Sequence, residues 1–187
     1  MKVTALELPG LLLIELQVFT DSRGFFTEHF NAKKFAANGL PSSFVQANHS
    51  RSSPGVLRGL HYQVNPAQGK LVGAIRGAIF DVTVDIRPGS PTFGKHIGIE
   101  LSDKNGRLLW VPAGFAHGFC AMGTEPSDVI YHVNAPYSPE TEGGVHWADP
   151  ELAIQWPTTT PIINKRDDQL PRFAEYKKTP IETFRYL

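Results

Sequence analysis

The sequence reads as a mainly β protein, an antiparallel sandwich or barrel with a few short helices. Short apolar or alternating runs recur through the middle of its 187 residues. Turn formers separate them: 17 glycines and 15 prolines together exceed the roughly 12% share of average proteins. Little helical periodicity lies between the runs. Strands at such spacing, without intervening helices, favour an antiparallel architecture.

Taken in order, Leu11–Phe19 reads as a strand and Asp21–Gly24 as a turn carrying Asp-Ser-Arg-Gly. Asn31–Asn38 reads as a helix, with Asn31 as cap, Phe35 on its apolar side and Gly39 closing it. The chain then turns polar through Ser43, Asn48, Ser50, Ser52 and Ser53. Lys70–Ile75 and Ala78–Ile86 flank Arg76-Gly77, which suggests a hairpin. In the second run Phe80, Val82, Val84 and Ile86 share one face, and Asp81, Thr83 and Asp85 the other. Ile97–Leu101 and Arg107–Val111 flank Ser102–Gly106, a second hairpin signal. Gly118–Met122 and Val129–Val133 continue the pattern. From about residue 149 the tail is Pro-rich and irregular, with a short helix expected near Asp168–Tyr176. Residues 1–187 are expected to form one domain.

Eighteen Lys and Arg balance eighteen Asp and Glu, and no basic block occurs, so a nucleic-acid partner is not expected. No apolar run approaches the roughly 18 residues of a membrane span. The start of the chain lacks a basic n-region and a cleavage site, so the expected location is cytoplasmic. Cys120 is the one cysteine, cannot form an internal disulfide, and is expected as buried packing.

Two segments carry chemistry. Gly55-Val-Leu-Arg-Gly-Leu-His61-Tyr-Gln63 is followed by Gly106, five residues, and Pro112-Ala-Gly114-Phe-Ala-His117. Together they resemble the two signature segments of the cupins, small jelly-roll barrels. The resemblance implies a jelly-roll (cupin-like) barrel. The first segment departs where a metal cupin needs ligands: Gln63 stands at the second His position and Gln68 near the Glu. Two imidazoles and two neutral amides are a weak donor set, so neither metal nor other cofactor is expected. His117 is either a site residue or a core histidine bonded to backbone.

A narrower resemblance rests on many ordered pieces. They include Asp21-Ser-Arg23-Gly-Phe-Phe26-Thr-Glu28, Gln46-Ala-Asn48-His-Ser50, Gln68-Gly-Lys70 and Phe80–Arg87. Tyr131, Tyr137, Glu142, Trp147-Ala-Asp-Pro and Ile154-Gln-Trp-Pro157 complete it. Over roughly residues 8–171 the chain resembles the dTDP-4-dehydrorhamnose 3,5-epimerases, nucleotide-sugar enzymes of rhamnose biosynthesis. The resemblance implies a 4-keto-6-deoxy sugar on thymidine diphosphate as substrate. The C4 ketone acidifies the hydrogens on C3 and C5, and inversion needs a base on one face, an acid on the other and an enolate stabiliser. It implies His61 as base, Asp167 as its orienter, Tyr131 as acid, and Lys70 stabilising phenolate and enolate charge. By itself, Asp167 would read as a solvated loop carboxylate and Tyr131 as a strand aromatic. His117 is expected to reach the ketone or enolate oxygen.

The resemblance also implies a substrate pocket. Arg23 and Arg58 suit phosphate oxygens. Glu28, Gln46 and Asn48 suit thymine and ribose, with Phe26 and Tyr137 as aromatics near the base and Tyr137 as the stacking platform. Glu142 matches a contact position, and Arg166 stands where the family usually has Lys. Asp81 and Asp85 are read as inward groups paired with Arg58 or Arg76, with catalysis as the other option. A homodimer is expected, through exchange of an N-terminal strand that covers sheet edges, with residues near Phe26 and Glu28 entering the opposite subunit's site. The alternatives are an enzyme inverting only C3 or only C5, a metal-dependent cupin, and a non-catalytic nucleotide-sugar binder.

Overall fold

The structure, a computed structural model, describes residues 1–186; Leu187, the last residue of the expected domain, lies outside them. Its strands are β1 (Lys2–Ala5), β2 (Leu12–Glu15), β3 (Val18–Asp21), β4 (Gly24–Thr27), β5 (Gln46–Ser52), β6 (Leu57–Gln63) and β7 (Lys70–Arg76). They continue as β8 (Ala78–Asp85), β9 (His96–Ser102), β10 (Arg107–Val111), β11 (Phe115–Met122), β12 (Ser127–Val133) and β13 (Glu142–Gly144). The helices are α1 (Ala32–Ala37), α2 (Lys165–Asp168) and α3 (Phe173–Lys178), and a 3-10 turn spans Glu182–Phe184. Among the described residues no helix is long and apolar enough to cross a membrane.

The strands form two antiparallel sheets. One has the order β1-β2-β10-β7-β12-β5, the other β13-β6-β11-β8-β9. β3 and β4 form a separate two-stranded arm turned by Ser22-Arg23. Apolar side chains from both sheets, among them Val72, Ile79, Leu109, Phe119 and Val129, interdigitate between them. The outer face of the larger sheet is covered by α1, whose Phe35 packs with Leu71, Leu108 and Trp110. Asn31 caps α1 as expected, its side chain accepting from the Lys34 amide.

Both expected hairpins are absent. β7 and β8 lie on either side of Arg76-Gly77 but belong to different sheets, β7 pairing with β10 and β12, and β8 with β9 and β11. β9 and β10, across Ser102–Gly106, are separated in the same way. A turn signal specifies that the chain reverses; which sheet the next strand joins depends on distant burial. Gly77, at φ 71°, makes the first of these corners. The single strand expected over Leu11–Phe19 splits into β2 and β3, because β10 begins opposite Glu15 at Arg107 and the pairing ends one bond further, from the Leu16 amide to the Gly106 carbonyl. The tail helix expected over Asp168–Tyr176 is two helices, α2 and α3, parted at Pro171.

The alternation along β8 holds, with the polar face turned inward. Asp81, Thr83 and Asp85 are fully buried beside Ile79. Val82, Val84 and Ile86 point outward against Phe173, Tyr176 and Phe184 of the tail. The carboxylates are not paired with Arg58 or Arg76: Asp81 meets His117, while Asp85 binds Arg87, Ser90 and Thr92 within its own connection. Cys120 is buried on β11, and burial pushes its thiol pKa up, as suits packing rather than nucleophilic chemistry.

Candidate active site

Between the sheets, at one end, the apolar interior gives way to a polar cavity of about 410 Å³. Inward positions of the two sheets supply opposite walls. β6 and β11 present His61, Arg58 and His117; β5, β7 and β12 present Gln46, Asn48, Lys70 and Tyr131. Tyr137, Glu142, Arg166 and Asp167 complete the lining.

His61 and His117 face each other in register across β6 and β11. The approach of these strands depends on Gly59 and Gly118. A Cβ on Gly59, at φ 119°, would lie 2.6 Å from the Gly118 Cα, and one on Gly118 would lie 2.5 Å from the Arg58 carbonyl oxygen. The ladder shifts register here, and the Gly59 N–H is free to donate to Asp167 Oδ2 at 3.0 Å.

Asp167 is 1% exposed, and its Oδ1 lies 2.9 Å from His61 Nε2. Asn164, the cap of α2, accepts from the Asp167 amide at 2.7 Å and so fixes the carboxylate's place. Burial opposes ionisation of Asp167, but the bonds from His61 and Gly59 outweigh it and hold its pKa below the usual carboxylate value. An ionised Asp167 accepts from Nε2–H, which leaves the lone pair of a neutral His61 on Nδ1. The second dyad repeats the arrangement: His117 Nε2 lies 3.0 and 2.8 Å from the two oxygens of buried Asp81.

Lys70 is half-buried and makes no ion pair among the described residues. Burial lowers its pKa from 10.5 to about 8, against the opposing pull of Glu142 and Asp81. Burial likewise raises the Tyr131 phenol, which keeps its proton at neutral pH; the Arg58 charge works in the other direction. Arg58 lines the cavity and donates from Nε to Ser52 at 3.0 Å and from Nη2 to the Arg51 carbonyl at 3.3 Å.

At the mouth, Glu142 Oε2 accepts from the Tyr137 hydroxyl at 2.7 Å and from Arg166. The Tyr137 amide donates to Gln46 Oε1, and Gln46 Nε2 donates to Asn48. Tyr137 remains 49% exposed, so its ring is open to a stacking partner.

Of the residues singled out from sequence, His61, Lys70, His117, Tyr131, Asp167, Gln46, Asn48, Arg58, Tyr137, Glu142 and Arg166 all line this cavity. Arg23, Phe26 and Glu28 do not. They lie on or beside the β3–β4 arm, where Arg23 pairs with Asp21 and Glu28 with Lys34. Sequence reasoning missed Asn164, whose Asn-x-x-Asp spacing is a legible cap, and Asp81 as the partner of His117. It also missed Ser50, whose lining hydroxyl is buried without a partner.

Gln63 has another duty. Its amide nitrogen donates to the Pro66 and Pro136 carbonyls and its oxygen accepts from Ser138, so it ties two loops. Among the described residues no group of three or more His, Cys, Asp or Glu is placed to hold a metal ion.

A family model described as dTDP-4-dehydrorhamnose 3,5-epimerase matches residues 5–175. The chain is 51% identical over 177 residues to the dTDP-4-dehydrorhamnose 3,5-epimerase of Pseudomonas aeruginosa, covering 94% of this chain and 97% of that one. It is 43% identical to a dTDP-4-dehydrorhamnose 3-epimerase of Streptomyces niveus, over 94% of this chain and 85% of the other. Its structure superposes with a TM-score of 0.92 on the dTDP-6-deoxy-D-glucose-3,5-epimerase of Legionella pneumophila in complex with dTDP-4-keto-L-rhamnose, at 42% identity, covering 100% of this chain and 98% of that one.

Proposed function

The chain belongs to the dTDP-4-dehydrorhamnose 3,5-epimerase family, and we propose that His61 and Tyr131 carry its two proton transfers. The reaction inverts C3 and C5 of dTDP-4-dehydro-6-deoxy-D-glucose to give dTDP-4-dehydro-L-rhamnose. One observation carries the assignment: the candidate base stands on β6 of one sheet and the candidate acid on β12 of the other, with the cavity between them. Inversion at carbon requires that opposition.

His61 Nδ1 takes the proton from carbon, and the electron pair moves onto the C4 oxygen as an enolate. Asp167 holds the ring and stabilises the imidazolium. Lys70 and His117 stabilise the enolate oxygen. Tyr131 then delivers its proton to the opposite face of the same carbon, and the phenolate and imidazolium re-equilibrate with solvent. Arg58 and Arg166 serve the diphosphate, while Tyr137, Gln46 and Asn48 serve the thymidine.

The chain acts as a homodimer in this reading. The arm exposes Phe19 by 54%, Phe25 by 64% and Phe26 by 68%, an apolar surface that a second copy would cover. Such a copy would carry Arg23, Phe26 and Glu28 to the other subunit's cavity mouth. Sedimentation as a monomer at micromolar concentration would refute it.

The likeness to the S. niveus 3-epimerase favours a second reading, inversion at C3 alone. Turnover of the 4-keto sugar nucleotide in deuterated water, followed by NMR of the product, separates the two. Deuterium at both C3 and C5 with the L-configuration is expected. Label at one carbon only would establish the mono-epimerase, and no label at either would overturn the proton-transfer chemistry.

A further inference from the structure

Glu142 stands between the mouth of the cavity and its base. It lies on β13 opposite Gln63, two residues along β6 from His61. Its Oε2 is already engaged by Tyr137 and Arg166, and its Oε1 turns inward to 3.8 Å from His61 Nδ1. The carboxylate is 12% exposed, and both of its oxygens face protein groups. A free carboxylate at this place would repel a diphosphate; paired with Arg166 it does not.

We propose that Glu142 is a positioning residue that joins the nucleotide-stacking platform, Tyr137, to the catalytic base, His61. The inference rests on the epimerase reading above. Seating thymine on Tyr137 would thereby be felt at His61 through one shared carboxylate. Burial acts against ionisation of Glu142, but the bonds from Tyr137 and Arg166 keep its pKa below the ordinary value, so the link is charged at neutral pH. Its charge also reaches Lys70, whose ammonium it helps to keep. The other charged or titratable groups around His61 are Asp167 and Arg166 from α2, His117 from β11, Tyr131 from β12 and Arg58 from β6.

The test is the pH profile of kcat/KM, which reports the free enzyme's essential acid and base. In Glu142→Gln the base His61 and the enolate-stabilising Lys70, whose ammonium loses its proton before the Tyr131 phenol and so sets the alkaline limb, lose the same negative neighbour. Both limbs of the profile are expected to move to lower pH, by about half to one unit for a charge at this range. Arg166→Met removes the opposing cation and should move the limbs the other way. Glu142→Asp keeps the charge and should leave them near their wild-type positions. A raised KM with unmoved limbs in Glu142→Gln would make Glu142 a plain substrate contact and overturn the proposal. Unmoved or lowered limbs in Arg166→Met would overturn it independently, even if the Gln variant folds poorly. Wild-type protein that fails to invert the sugar would instead overturn the epimerase reading, a separate outcome.

Discussion

Replacing Lys70 by Met is expected to stabilise the fold while abolishing catalysis. The ammonium is desolvated, and no carboxylate within ion-pair distance compensates it among the described residues. The fall from 10.5 to about 8, at about 1.4 kcal/mol per tenfold, corresponds to about 3.5 kcal/mol. Lys70 is only half-buried, and discounting for solvent screening leaves about 2 kcal/mol. Below pH 8 lysine is protonated in both folded and unfolded chains, so the folded state carries the full penalty. Between about 8 and 10.5 the unfolded chain holds a proton that the folded one has released, so wild-type stability gains on the variant. Above 10.5 both are neutral and the difference closes. Met has similar length and no charge to desolvate. Urea denaturation of both proteins at neutral pH and near 10.5 reads the gap directly. Lys70→Met that is less stable than wild type at neutral pH would show that the ammonium is held by compensating contacts, and the reasoning would fail.

Two further variants probe the walls separately. In Tyr131→Phe the base remains and the opposing acid is gone. Formation of inverted product should fall about 100- to 10,000-fold, while deuterium still enters recovered substrate with retained configuration, and product formation at the wild-type rate would remove Tyr131 from the reaction. In Asp167→Asn the amide cannot hold the same imidazole tautomer with a negative charge, so kcat should fall by about 100-fold or more. Loss of the buried carboxylate's bonds should also cost about 1–3 kcal/mol at neutral pH. Because the folded-state pKa of Asp167 is lowered, its stabilisation is present above the unfolded value and disappears as pH falls through the folded one. Equal acid sensitivity of wild type and variant in a pH-resolved melt would contradict this.

The site was legible where chemistry sits in local words. Gly55–Gln63 and Pro112–His117 each keep a motif within a few residues, and the cavity gathers Arg58, His61 and His117 from them. The pairing of strands was not. Arg76-Gly77 and Ser102–Gly106 announce reversals, but β7 with β8 and β9 with β10 part company because each strand is buried on partners far away in sequence. The strand β5 was hidden for another reason. Its inward residues Gln46, Asn48 and Ser50 are polar because they face the cavity, so the apolar alternation that marks a strand is missing. The same inversion affected Asp81: a buried carboxylate on a strand face signals a partner, but only the fold shows that the partner is His117 across β11. The arm residues Arg23, Phe26 and Glu28 mark the remaining limit: their motif is legible in the sequence, but within the chain the arm stands apart from the cavity.

A polar cavity inside a small β protein removes apolar contacts from the place where they would do most for stability. This chain places them outside instead. Along β8, inward Asp81, Thr83 and Asp85 serve the interior, and outward Val82, Val84 and Ile86 are buried beneath the tail. Phe173 and Tyr176 of α3 are 2% and 5% exposed, the Tyr176 hydroxyl donates to the Ile86 carbonyl at 2.7 Å, and the Phe173 amide donates to Asp149 at 2.8 Å. The Pro-rich segment after residue 149 is therefore a second layer of core. It is also the segment that carries Asn164, Arg166 and Asp167 to the cavity. Packing of the tail and orientation of His61 are thus one structural event: the apolar clusters that offset the polar interior hold in place the carboxylate that bonds the His61 ring.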